Sequence, residues 1–148
     1  MIEISQIISQ TEINFLVDLF LCMVAGFAIG AEREARGKDA GISTHIMVIT
    51  GAMLFTFISS VVDPASESRI AAQIVSGIGF LGAGLIIKEG SSVKNLTTAA
   101  SIWYAGAIGM AFGFGFHAIG IIATLASVAI PRIPHISKKS PESRTDGI

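Results

Sequence analysis

The sequence predicts an all-α fold of the polytopic membrane class, five transmembrane helices in one chain, and three observations carry that prediction. Of the 148 residues 51% are hydrophobic and 14% charged, whereas an ordinary soluble domain carries about 25% charge. Residues 70–87 place Gly77, Gly79, Gly82 and Gly84 in an apolar run long enough to cross a bilayer. Each glycine costs about 1 kcal/mol inside an exposed soluble helix, but in lipid it lets two backbones approach closely. Finally, nine of the ten Lys and Arg residues fall on one side of a five-span arrangement, leaving Arg69 alone on the other.

The spans are drawn at 13–31, 42–62, 70–87, 96–113 and 114–130. The last two are short against the usual requirement of about 17–25 residues. A single helix over 96–130 would be about 52 Å long, too long for a hydrocarbon core of about 30 Å. A turn at Gly113-Phe114-Gly115 is therefore expected. Merging the two segments would also erase the charge bias, which places the N-terminus outside and the C-terminus in the cytoplasm.

Residues 1–131 form the expected membrane domain and 132–148 a disordered basic tail facing anionic lipid, where Pro134 and Pro141 interleave with Lys138 and Lys139. Ile4, Ile7 and Ile8 share a helical face and suggest an interfacial helix. The first span has no basic residue before it and no small-residue cleavage site, so it is expected to be retained. Membrane lipid is thus one expected partner. The net charge of −1 gives no reason to expect nucleic acid, and the lone Cys22, inside the first span, excludes a disulfide framework.

Several polar residues lie where lipid would surround them. Asp18 sits about 9 Å below the outer boundary and heads a stripe running through Cys22, Gly26 and Gly30. Intramembrane carboxylates face a partner or an aqueous cavity. Two readings stay open: pairing with Arg69 or Gln73, which enter the third span from the same side, or an ion or proton site. At the cytoplasmic ends Glu32, Arg33, Arg36, Thr44, His45, Lys88, Asn95, Thr97 and Thr98 gather at similar depth. Glu32 and Arg36 are spaced to pair, and Thr44 and His45 are placed to cap the second span. Asp18 and Glu32 are the carboxylates available to a metal. Cations crowd the inner one, so a tight all-protein Mg²⁺ cage is not expected there.

Gly77, Gly79, Gly82 and Gly84 spell G-x-G-x-x-G, but without a preceding strand or a downstream acid this is no dinucleotide fingerprint. Two readings remain. Ala72, Ser76, Gly79 and Ala83 make a small-residue packing seam, or the glycines break the helix and expose backbone to a substrate. Ser101, Ala105, Gly109 and Gly113 repeat the spacing in the fourth span, suggesting a tight hairpin of the third and fourth helices. Neither H-E-x-x-H nor C-x-x-C occurs, and His45, His117 and His135 fall on different segments, so no enzyme activity and no cofactor are expected.

Asp18, G-x-x-I-G-A-E-R at 26–33, A-G-x-x-T-H at 40–45, G-A-x-x-F at 51–55, R-x-A-x-x-I-V-S-G-I-G-F-L-G-A-G at 69–84 and L-T-T-A-A-S-x-W at 96–103 together resemble the MgtC/SapB family of bacterial membrane proteins. The resemblance implies an inner-membrane protein linked to growth at low Mg²⁺ and, in pathogens, to survival inside macrophages. It points to a regulator of other membrane proteins rather than a proven transporter, and some relatives are associated with inhibition of the ATP synthase. The polar positions it carries over are Asp18, Glu32, Arg33, Thr44, His45, Arg69, Asn95, Thr97 and Thr98. The sequence departs from the pattern at Ser43, where a basic residue is usual, and at Asn95, where glycine is frequent. It looks like the short SapB-like branch, which lacks the soluble C-terminal domain of the virulence members.

The functional expectation is a non-enzymatic, self-associating regulator or partner of other membrane proteins in Mg²⁺ or ion homeostasis. A small transporter or channel using Asp18 is the alternative, and a structural assembly factor is a weaker third.

Overall fold

The computed structural model describes residues 9–62, 64–66, 68–90 and 92–133. Of the interfacial helix expected over the first ten residues, the first eight lie outside the described residues, as does the tail beyond Ile133. The fold is all-α, with helices α1 (Gln10–Ala35), α2 (Ile42–Val62), α3 (Ser68–Leu85), α4 (Leu96–Gly113) and α5 (His117–Ala129). A small antiparallel hairpin, β1 (Ile87–Glu89) and β2 (Ser92–Lys94), joins α3 to α4.

Local chemistry sets the helix ends. Ser9 and Glu12 form a reciprocal capping box at the start of α1, the Glu12 carboxylate accepting from Ser9 N at 2.7 Å. At the other end Gly37 takes φ +64°, a left-handed turn in which Lys38 N donates to Arg33 O. The cap of α2 differs from expectation. Glu34 Oε1 accepts from Ile42 N at 2.9 Å, while Thr44 is exposed and His45 turns its ring to Gly41 O. The expected turn between the last two spans is present, with Gly115 at φ +76° and Phe116 N donating to Ala111 O.

α1, α2 and α4 pack together, α3 lies against α2 and α4, and α5 lies against α1 and α4. Cys22, Ala25, Ile29, Ile49, Met53, Ala105, Ile108 and Phe112 form the central core. Glycines bring the backbones close: a Cβ on Gly26 would lie 2.6 Å from Ile46 Cα, and one on Gly30 would collide with the Ile42 backbone. The stripe of α4 meets α2 rather than α3, for Gly109 and Gly113 lie against the Ile49 and Met53 carbonyls.

α3 corrects the expected seam. It is a continuous helix that buries Ala71, Ile74, Ile78 and Gly82, while Ser76, Gly77 and Gly84 are exposed and a Cβ on Gly77, Gly79 or Gly84 would meet nothing within 4 Å. Ala72, Ser76 and Ala83 of the expected seam thus face outward while Ile74 and Ile78 face inward, so the seam does not pack within the chain.

Outward faces are strongly apolar, with Phe20, Phe27, Met47, Phe80 and Ile122 all more than half exposed. An apolar surface of this extent marks faces that meet lipid or another protein. α1 and α2 are each long and apolar enough to cross a bilayer.

Candidate functional site

One helix positions both polar centres. Asp18 and Arg33 are fifteen residues apart on α1, about 22 Å along its axis, with the central core between them.

At the Asp18 centre, Asp18 is 6% exposed, and His117 Nε2, at the first position of α5, donates to its Oδ1 at 2.6 Å. The partner is therefore His117 rather than Arg69 or Gln73. Both of those are exposed on α3, which packs on α2 and α4, whereas α5 packs directly on α1. Only one face of the pair is covered, for the imidazole is 46% exposed.

At the Arg33 centre, Arg33 is 3% exposed and its Nη2 donates to Thr98 Oγ1 at 2.7 Å, tying the end of α1 to the first turn of α4. Arg36 Nη1 reaches Glu32 Oε1 at 3.4 Å and also donates to the Pro131 carbonyl, so the same region of α1 holds the end of α5. His45 is fully buried, and its Nδ1 lies 2.9 Å from Gly41 O. That contact puts the proton on Nδ1 and leaves Nε2 as an acceptor.

Three buried polar atoms here have no hydrogen-bond partner among the described residues: Glu32 Oε2, Arg33 Nε and His45 Nε2. An orphaned buried donor or acceptor costs about 1–3 kcal/mol. Three at one end of a bundle mark a place not built for stability alone. Beside them opens a cavity of about 360 Å³ lined by Arg33, Arg36, Lys38 and hydroxyl side chains of α4 and α5. Among the described residues no group of three or more His, Cys, Asp or Glu is placed to hold a metal ion. Asp18 and Glu32 sit at opposite ends and cannot share one.

Residues 19–136 match the MgtC family model. The chain belongs to the MgtC family. Protein MgtC of Salmonella typhimurium (strain 14028s) is 46% identical over 111 residues, 75% of this chain and 48% of that protein. Protein MgtC of Brucella abortus is 46% identical over 106 residues, 71% of this chain and 44% of that protein. An Escherichia coli K12 protein named "Putative magnesium transporter YhiD" is 39% identical over 134 residues, 82% of this chain and 61% of that protein. The chain thus spans about half the length of the MgtC proteins it matches. No solved structure matches it.

The polar residues of this MgtC-family chain divide between the two ends. Glu32, Arg33, Arg36, His45 and Thr98 converge at the end where α1 finishes and α2 and α4 begin. Thr97 lines the cavity, Asn95 precedes α4 at φ +62°, and Thr44 points away. The left-handed turn at Asn95 is one that glycine adopts without strain. Sequence reasoning overlooked His117, Glu34, Tyr104 and Ser127. Position was the available signal for His117: in the span assignment drawn from the sequence, Asp18 and His117 each fall near the start of an apolar segment, the first and the last.

Proposed function

We propose that this chain is a multi-pass protein of the bacterial inner membrane that serves Mg²⁺ homeostasis as a non-enzymatic partner of other membrane proteins. Five spans are proposed, N-terminus outside and C-terminus cytoplasmic. The five helices, the turn after α4 and the placement of nine of ten basic residues on one side support that topology. The magnesium connection rests on family membership and on the name carried by the Escherichia coli relative.

The apolar fill between the two polar centres carries the choice of partner over transporter. Cys22, Ala25, Ile29, Ile49, Met53, Ile108 and Phe112 are all at most 3% exposed and occupy the middle of the bundle. A solute path needs polar groups along its length, and the side chains of this core supply none. Docking of another helix is supported by an apolar groove of about 540 Å³ between α2 and α3, with Gly51 and Gly77 among its lining residues. Small residues there allow a transmembrane helix to approach closely. Self-association through the outward small-residue face of α3 belongs to the same proposal.

One observation favours the transporter reading, the half-exposed Asp18–His117 pair, which holds a titratable carboxylate at the outer boundary. Flux of Mg²⁺, K⁺ and H⁺ into proteoliposomes separates the two. Folded protein that moves none of these above empty liposomes fits the partner reading. Flux that vanishes in Asp18→Asn would overturn it and put the path beside α1 and α5.

A further inference from the structure

We propose that the inner-end cavity is a binding site for a phosphate-bearing anion, either an anionic phospholipid headgroup or free phosphate. The site is built from three elements. The end of α1 and the turn after it supply Arg33, Arg36 and Lys38, while α4 and α5 supply the hydroxyls of Thr97, Tyr104 and Ser127. No carboxylate lines it, and two nearby ones are engaged, Glu32 Oε1 with Arg36 and Glu34 Oε1 with Ile42 N. The cationic wall is thus only partly neutralised by the protein.

Arg33 makes this more than a charged surface. Its side chain is almost wholly buried, which is costly for a guanidinium unless an opposite charge or a full set of acceptors meets it. Glu32 and Asp39 act on it only through space, Thr98 alone accepts a hydrogen bond from its side chain among the described residues, and Nε has no partner there. A phosphate oxygen is the acceptor that planar guanidinium donors fit best. Thr97, Tyr104 and Ser127 make no hydrogen bond to a described residue, so their hydroxyls are free to donate to the same anion. At about 360 Å³ the cavity is within the size range of small-ligand sites. Ile130 and Ile133 at its edge give it an apolar side on which an acyl chain would lie. Basic pockets between helices on the cytoplasmic side are where anionic headgroups bind.

The test uses the whole chain. It is reconstituted in nanodiscs of phosphatidylcholine with or without phosphatidylglycerol, extracted in mild detergent, and weighed by native mass spectrometry. In parallel, detergent-solubilised protein is heated with and without inorganic phosphate. Phosphatidylglycerol retained in preference to phosphatidylcholine is the expected result for a headgroup site, and a rise in melting temperature with phosphate alone is the result for a free-anion site.

Arg33 variants risk failing to fold, so the decisive variant is Lys38→Gln with Thr97→Val, both side chains being exposed. It should lower retention or the phosphate-induced shift at least threefold. Lys88→Gln, on β1 and outside the cavity, should leave both unchanged. Neither ligand binding, no loss in the double variant, or an equal loss in Lys88→Gln would each overturn the proposal.

Discussion

At the scale of single residues, the Arg33 centre turns on Thr98. Its hydroxyl is the acceptor for the buried Arg33 guanidinium, so Thr98→Val strands a charged donor. We expect a loss of about 1–3 kcal/mol, read as a lower unfolding midpoint in detergent, with Thr98→Ser restoring most of it. At the Asp18 centre, His117→Ala removes the hydrogen bond to Asp18. Because the imidazole is nearly half exposed, solvent screens the interaction and the loss should be only about 1 kcal/mol. A double-mutant cycle with Asp18→Asn should return a coupling energy of that size. That Asp18 needs a partner was legible from its depth in an apolar segment. The identity of the partner was not, because helix spacing orders residues along one helix and says nothing about which neighbour stands beside it.

At the scale of elements, the boundaries of α2 and α4 were legible to the residue, since a polar or glycine-rich break precedes each apolar run. The inward face of α3 was not. In water, apolar periodicity marks the buried side, but lipid is as apolar as a protein core, so Ile74 and Ile78 could face either way. The hairpin from Ile87 to Lys94 was hidden for another reason: Ile86 and Ile87 extend the apolar run, and only Gly90, at φ +60°, betrays the turn. The two kinds of glycine respond oppositely to the same change. Gly30→Ala drives a methyl into the Ile42 backbone and should cost about 3 kcal/mol or more, because neither helix can yield locally. Gly77→Ala meets open space and should stabilise the isolated chain by up to about 1 kcal/mol. Thermal unfolding of the two variants checks the contrast. If Gly77→Leu folds normally yet loses a membrane partner, the exposed groove is a docking face.

At the scale of the whole molecule, the only cysteine is a built-in probe of opening. Cys22 is fully buried in the core shared by α1, α2 and α4. A maleimide should therefore label it only as fast as that core opens, and denaturant should accelerate labelling in step with unfolding. Fast labelling of native protein would show that the core admits solvent. The five-helix outline was legible because composition and charge placement act over the whole chain. The two-centred arrangement was not, since it depends on which helices become neighbours. The shortness of α5 has a consequence for the surrounding bilayer. Its 13 residues span about 20 Å, against about 39 Å for the 26 residues of the adjacent α1. In the proposed five-span topology, lipid around α5 would have to thin to match it while lipid around α1 would not, which would make the molecule asymmetric in hydrophobic thickness. In bilayers of graded acyl length, its stability should peak at shorter chains than a uniform bundle would choose, and two copies that brought their α5 edges together would relieve the mismatch.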